Sequence, residues 1–306
     1  MANKWYVIAN PNAGNKSFKS LESKIIDQFK HFNIDYTLKV TTHQKHEIEL
    51  VHTAIKQGYT HFVSVGGDGT LHYVVNGIMT QNIIPSHQVV VGIIPLGTGN
   101  DWVKTYNIGK NIEKAVKHLK KLNTIYQDIG FLQLENTSRY FNNVAGIGYD
   151  GYVVNKLNKL KHLGSIAYLL SGISGMLFYK KNSYEIGINN ELLNEECLMI
   201  LFGIGKYSGG GMKLTEFSNT SNGLLDITLA KNLNLFDLVK NIRKLYTGSI
   251  VRHKKVKNYK TTTLLITPKS SEIQSFVEAD GELVGSGKVK VSIYKEAIQF
   301  IVNQSY

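Results

Sequence analysis

Apolar and polar positions follow one rhythm up to about residue 124 and another after it. In the first part, short β-branched runs alternate with stretches whose apolar residues recur at helical spacing. Strands are predicted over 5–9, 35–40, 62–65 and 89–94, and helices over 18–32, 45–57, 71–79, from 102 onward and over 113–122. Strand and helix in alternation predict a mostly parallel sheet with helices on both faces. Beyond residue 124 the runs are short and β-like, over 125–129, 140–145, 184–188, 198–203, 225–230, 262–267, 273–278, 289–294 and 297–302. Many strands at this spacing predict an antiparallel sandwich or barrel. The expected organisation is an α/β domain over 1–124 and an all-β domain over 125–294. One stretch breaks the β texture: 163–179 is apolar and uncharged, with lysines on both sides. It is short for a membrane span, and reads as a core helix or as one that lines an apolar cleft or touches a membrane surface.

Composition sharpens this outline only at a few points. A chain of 306 residues with 42% hydrophobic content is long enough for two cores. The formal charge of +12 and the pI near 9.4 favour anionic partners. Basic residues gather at Lys156 to His162, at Lys180-Lys181 and at Arg252 to Lys260. No helix-turn-helix, aromatic RNA-binding signature or zinc spacing accompanies them, which argues against nucleic acid. The single cysteine, Cys197, lies in an apolar run and reads as a buried thiol. The N-terminus enters a strand pattern without a leader-like segment, so the expected location is the cytoplasm.

The chemistry concentrates in the turns of the first part. Gly66-Gly67-Asp68-Gly69-Thr70 follows one strand, and Pro95-Leu96-Gly97-Thr98-Gly99-Asn100-Asp101 follows the next. Glycines before a helix bring bare backbone N–H groups toward an anion, and the helix N-terminus adds partial positive charge. Asn10-Pro11-Asn12-Ala13-Gly14 ends the first strand and belongs on the same sheet edge, where open α/β folds bind ligands. No Walker A sequence occurs, so backbone N–H groups and the hydroxyls of Thr70 and Thr98 would hold phosphates, with Mg²⁺ balancing charge. Asp68 and Asp101 are the natural partners of that ion, and Asp128 could join them. These features point to phosphoryl transfer.

Two further motifs lie in the β-rich part. Gly146-Ile147-Gly148-Tyr149-Asp150-Gly151 matches G-x-G-x-x-G, but it lacks a preceding βα series and an acidic strand end downstream, and does not read as a dinucleotide fingerprint. Glu278-Ala279-Asp280-Gly281-Glu282 sets three carboxylates around a turn. Asp-Gly is a standard hairpin turn, yet Glu282 and Asp280 are also the best-placed general bases for an alcohol.

In order along the chain, these motifs resemble those of the soluble diacylglycerol kinase family, which also contains sphingosine and ceramide kinases and bacterial lipid kinases. Asn10 to Gly14 resembles its N-P-x-x-G loop, Gly66 to Thr70 its G-G-D-G-T signature and Pro95 to Asp101 its P-L-G-T-G-N-D loop. Asn143 to Asp150, Gly209 to Lys213, Gly223 to Asp226 and Asp280 to Glu282 resemble its later segments. The resemblance implies an NAD-kinase-like α/β domain, a C-terminal antiparallel β-sandwich and an active site in the cleft between them, with residues 295–306 returning to the first domain. It implies ATP contacts from Asn10, Pro11, Asn12, Ala13, Gly14, Thr42 or Thr41, Gly66, Gly67, Asp68, Gly69, Thr70, Leu71, His72, Gly97, Thr98, Gly99 and Asn100. By the same resemblance Asp68, Asp101 and Asp128 would surround Mg²⁺, and Glu282, or less readily Asp280, would take the proton from the lipid hydroxyl. A neutral lipid such as diacylglycerol would be the acceptor, an anionic membrane the peripheral partner, and a homodimer is compatible with the family. The chain departs from the pattern near Asn222 and Leu224, where Asn222 stands in place of an aspartate that binds a structural Mg²⁺; Trp102 and Lys104 replace the usual Phe and Arg. G-G-D-G-T is shared with NAD kinases, which makes such an enzyme the rival reading, beside a catalytically weak nucleotide- or lipid-binding regulator.

Overall fold

The computed structural model describes residues 4–14, 18–157, 172, 175, 176 and 178–303. Most of the apolar 163–179 stretch lies outside them. The chain divides into two compact units, Met1–Gln127 with Glu296–Tyr306, and Asp128–Lys295.

The first unit is built on four parallel strands in the order β2 (Tyr36–Val40), β1 (Trp5–Ala9), β3 (His61–Gly66), β4 (Val90–Pro95). Alternation within β1 sends Trp5, Val7 and Ala9 to one face, where Ile25 and Phe29 of α1 (Phe18–His31) and Val116 and Leu119 of α5 (Ile112–Lys121) cover them. Tyr6 and Ile8 point the other way and are also buried. Here α2 (His46–Lys56) packs on α3 (Asp68–Thr80), and both pack against the sheet. Strands buried on both faces read as continuous apolar runs, which is why β1, β3 and β4 stand out in the sequence. The last strand, β17 (Val289–Ile301), adds Gln299 and Phe300 beside Val90 and Val91 in parallel register.

A polar knot fastens this edge. Gln127, in β5 (Thr124–Gln133), is fully buried. Its side-chain oxygen accepts from Trp102 Nε1 at 3.0 Å and from the Tyr106 hydroxyl at 2.6 Å. Trp102, on α4 (Asp101–Thr105), packs in turn on Phe300 with ring centroids 4.9 Å apart.

The second unit is antiparallel. Its strands are β6 (Ser138–Phe141), β7 (Val144–Gly148), β8 (Asn182–Ile188), β9 (Glu191–Gly203), β12 (Leu225–Lys231), β13 (Val256–Thr261), β14 (Thr263–Pro268), β15 (Phe276–Ala279) and β16 (Glu282–Ser286), with a two-stranded ribbon of β10 (Tyr207–Ser208) and β11 (Met212–Lys213). The strand path runs β16-β15-β7-β9-β8-β14-β17, and β12 pairs with both β9 and β13. Phe141, Ile147, Tyr184, Ile200, Phe202, Ile227 and Val277 share one core, and Cys197 is buried within it, its thiol pushed up to about 12 chiefly by desolvation. Among the described residues, the helices α6 (Tyr149–Leu157), α7 (Leu235–Lys240) and α8 (Ile242–Thr247) lie on this framework.

Two expectations change in detail. The run over 140–145 is two strands, because the N–H groups of Asn142 and Asn143 leave the ladder and bond the Asp280 carboxylate at 3.0 and 2.9 Å. The runs over 289–294 and 297–302 are one strand, kinked where Glu296 takes a left-handed φ of 51°.

Gln127→Leu keeps volume but strands two buried donors, each worth about 1–3 kcal/mol when left unpaired. Urea unfolding is expected to show a loss of about 2–4 kcal/mol, against less than about 1 kcal/mol for a polar-to-apolar change at exposed Lys39.

Candidate active site

Parallel register places the ends of β1, β3 and β4 on one edge: Ala9 lies level with Val65, and Gly66 with Pro95. The three turns interlock there. The Gly66 carbonyl accepts from the N–H groups of Leu96 and Gly97 at 2.8 and 3.3 Å. A Cβ on Gly97 would lie 2.6 Å from Gly67 Cα, so the glycines allow the two backbones to touch. Gly14, at a left-handed φ of 79°, sits over the Leu96 carbonyl, 2.3 Å from where its own Cβ would be. Asn10 closes its turn by accepting the Asn12 N–H at 2.9 Å, with Pro11 and Ala13 between these fixed points.

The acidic residues follow from that packing. Asp68 begins α3 and its Oδ1 accepts the Trp102 N–H at 3.2 Å, tying one loop to the helix after the other. Asp101 begins α4 and accepts from Lys104 Nζ at 2.7 Å. Asp68 Oδ2 and Asp101 Oδ2 lie 3.0 and 3.8 Å from the position a Cβ would take on Gly99. Asn100 is held left-handed, its amide nitrogen donating to the Gly97 carbonyl at 2.6 Å. Thr70 folds its hydroxyl over Gly66, and Thr98 is exposed. Leu71 and His72 are buried in α3, with the Leu71 N–H donating to the Gly67 carbonyl and the His72 carbonyl accepting from Asn76. The Thr42 hydroxyl lies 3.2 Å from His46 Nδ1, while Thr41 is buried. Beside these turns a groove of about 580 Å³ runs between Gly97, Thr98, Lys24 and Lys110.

The second unit carries the remaining acids. Asp128 is fully buried, and its Oδ2 accepts the Gly223 N–H at 2.6 Å. Asn222 accepts the Leu224 N–H at 3.0 Å, so its amide closes a turn. Asp280 and Gly281 have φ of 51° and 80° and join β15 to β16 as a two-residue hairpin turn. Glu282 opens β16, half-buried, opposite Ala279.

One acidic pair escaped the sequence reading. Glu278 is 2% exposed and lies across from Gly146 in the ladder. The absent side chain at Gly146 makes room for Asp150, whose Oδ2 would be 3.2 Å from a Cβ there. Asp150 Oδ2 and Glu278 Oε1 are closed to solvent and meet no donor, a conflict removed when one carboxyl keeps its proton and gives it to the other. Both are held above the usual carboxylate range: Glu278 by burial and then by Asp150's charge, Asp150 by burial. The other oxygen of Glu278 accepts the Gly281 N–H at 2.8 Å, which links the pair to the Asp280–Gly281 turn. Asp150 is also the acidic member, among the described residues, of a slot of about 80 Å³ lined by Tyr149, Val153, Met199, Met212, Leu214, Leu238, Ile242 and Leu245 with two glycines. The glycines of the G-x-G-x-x-G match are thus used in packing. A Cβ on Gly151 would lie 2.3 Å from the Phe276 carbonyl oxygen, and Gly148 has a left-handed φ of 102°.

A parallel α/β unit with interlocked glycine turns, followed by an antiparallel unit, defines a two-part phosphotransferase fold. Residues 4–132 match the family model of the diacylglycerol kinase catalytic domain, and residues 143–302 that of the YegS C-terminal NAD kinase beta sandwich-like domain. The chain belongs to the diacylglycerol kinase family of lipid kinases. A diacylglycerol kinase of Staphylococcus haemolyticus is 28% identical over 91% of this chain and 82% of its own length. One of Bacillus subtilis is 27% identical over 76% of each. Two solved structures from Bacillus anthracis share the fold, with TM-scores of 0.80 and 0.73 at 22% and 19% identity over 99% of this chain and 99% and 98% of theirs. Membership of a kinase family implies ATP as substrate and typically a divalent metal. Among the described residues, no three His, Cys, Asp or Glu side chains converge. Asp68 and Asp101 nevertheless fit a hard cation, since Mg²⁺ is commonly held by one or two carboxylates with water and substrate phosphates. Also among the described residues, no helix is long and apolar enough to cross a membrane.

The Asp150–Glu278 pair gives the fold a pH dependence of definite sign. Both carboxyls are raised in the folded state, so their contribution is complete below about pH 4 and is lost as pH rises through the folded values. The slope reaches about 1.4 kcal/mol per pH unit for one proton. Glu278→Gln keeps a donor for Asp150 and removes one ionisation; its unfolding free energy is expected to fall less steeply than wild type between pH 5 and 8.

Proposed function

We propose that this enzyme transfers the γ-phosphoryl group of ATP to the hydroxyl of a neutral lipid, with diacylglycerol as the acceptor. The slot beside Asp150 carries this reading: among the described residues it offers apolar walls to a chain, with the Asp150 carboxyl and the Tyr149 hydroxyl as polar groups for a head. That combination suits an uncharged acyl lipid better than a nucleotide acceptor such as NAD, which would need several polar partners.

In this reading the first unit holds the donor. Backbone N–H groups at Gly66 to Thr70 and Gly97 to Asn100, with the N-terminus of α3, bind phosphates, while Asn10 to Gly14 and Thr42 border the nucleotide. Asp68 and Asp101 would hold the Mg²⁺ above Gly99, whereas Asp128 is committed to the Gly223 N–H in the second unit. Bound there, the ion offsets charge on the transferring phosphoryl group. Glu282 takes the proton from the lipid hydroxyl, so that the alkoxide oxygen forms the new P–O bond as the bond to ADP breaks. Asp280 is the weaker base, because two backbone N–H groups already occupy its carboxylate. Rate enhancement rests on positioning and on fixed charges rather than on a covalent intermediate.

Asp68→Asn retains an oxygen for the Trp102 N–H but loses the charge. Transfer of label from ATP to diacylglycerol in mixed micelles is expected to fall about 10²–10³-fold, with the thermal melt nearly unchanged; full activity removes Asp68 from cation binding. For Glu282→Gln, calorimetry is expected to show ATP binding retained while lipid phosphorylation drops about 10²–10⁴-fold. Equal loss of both assigns Glu282 to folding.

A further inference from the structure

The helix pair α7 and α8 is amphipathic in an unusual sense. Its inner residues, Leu238, Ile242 and Leu245, stand at helical spacing and wall the slot. Its outer side is apolar as well: Phe236 is 71% exposed, Val239 53% and Tyr246 42%. Between them Lys240, Arg243 and Lys244 are exposed. The one acid on these helices, Asp237, is committed to the Asn234 N–H and to Lys255. Glu216, packed beneath Gly248 at the end of α8, is only partly exposed and lies 3.8 Å from Lys213 Nζ. A projecting apolar ridge with basic residues interspersed is poorly suited to water. It matches a surface with a hydrocarbon interior and negative headgroups.

We infer that the outer face of α7 and α8 docks on an anionic bilayer, Phe236, Val239 and Tyr246 entering the headgroup region while Lys240, Arg243 and Lys244 meet lipid phosphates. The inner face of the same two helices would then present the slot to the layer from which its lipid comes. The inference rests on the lipid-acceptor reading for its purpose, but binding itself requires neither ATP nor turnover. Charge complementarity selects the bilayer over a second copy of the chain, whose equivalent face would bring like charges together.

The test is flotation of the whole protein with vesicles of phosphatidylcholine, alone or with 30 mol% phosphatidylglycerol. Wild type is expected to float with the anionic vesicles at low salt and to be released as salt rises past the range where the Debye length shrinks below about 10 Å. Phe236→Ala with Val239→Ala and Tyr246→Ala is expected to lower the bound fraction at least tenfold. Lys240→Gln with Arg243→Gln and Lys244→Gln is expected to abolish the preference for anionic vesicles. Single Phe236→Ala, at the most exposed position, reads the same effect if a triple variant fails to fold. Equal flotation of all forms, or of wild type on neutral and anionic vesicles, overturns the proposal. So does a dimer in wild type that the apolar triple variant dissolves. Phosphorylation of a dispersed short-chain diacylglycerol is expected to be unchanged in the folded variants. If wild type floats but phosphorylates no lipid, the docking face stands and the acceptor assignment falls.

Discussion

The contact on which the donor site depends is the meeting of two backbones. The Gly66 carbonyl takes two N–H groups from the opposite turn, and Gly67 and Gly97 approach until neither has room for a side chain. Parallel register between β3 and β4 brings the turns level, but only bare Cα atoms let them close. A methyl group at Gly97 would push the turns apart and draw Asp68 away from the Trp102 N–H. The N-termini of α3 and α4 would separate with them. The polar knot of Trp102, Tyr106 and Gln127 holds α4 from behind, so the loop geometry is fixed on both sides.

The second unit uses carboxylates in the opposite way. Asp280 spends both oxygens on Asn142 and Asn143, ending one strand and starting the next. Glu278 holds the N–H of Gly281 and leans on Asp150. The turn built by these acids leads directly into β16, which Glu282 opens opposite Ala279.

The two-part architecture and its family were legible in the sequence because buried strands and glycine turns are local signals. Runs such as those around Val63 and Ile93 are mostly apolar and buried, and the glycines sit where backbone conformation requires them. Other elements depend on distant partners. β13 falls within a basic patch of the sequence, and its place beside β12 is set by long-range pairing rather than by a local apolar pattern. The helices α7 and α8 are too short for their periodicity to rise above the loop around them. The Asp150–Glu278 pair depends on the register that sets Glu278 opposite Gly146, a long-range fact no spacing reveals. The only local sign was a glycine at Gly146 with an acid one helical turn later, and it was absorbed into a dinucleotide-like match.

The acids of the two units differ in what surrounds them, and that difference assigns their roles. Asp68 and Asp101 each accept from a donor, a backbone N–H and a lysine ammonium respectively. They share a small region above Gly99, a glycine whose missing side chain leaves room there. Asp150 and Glu278 have only each other and one N–H between them, in a setting that raises both. A pair that retains a proton is a hydrogen-bonding group rather than a cation trap, because Mg²⁺ would have to displace that proton and enter a space walled by methionine and leucine. Of the two settings, the glycine turns are the better suited to a cation. The buried pair instead shares its proton internally and, through Glu278, holds the N–H of Gly281 in the turn above it.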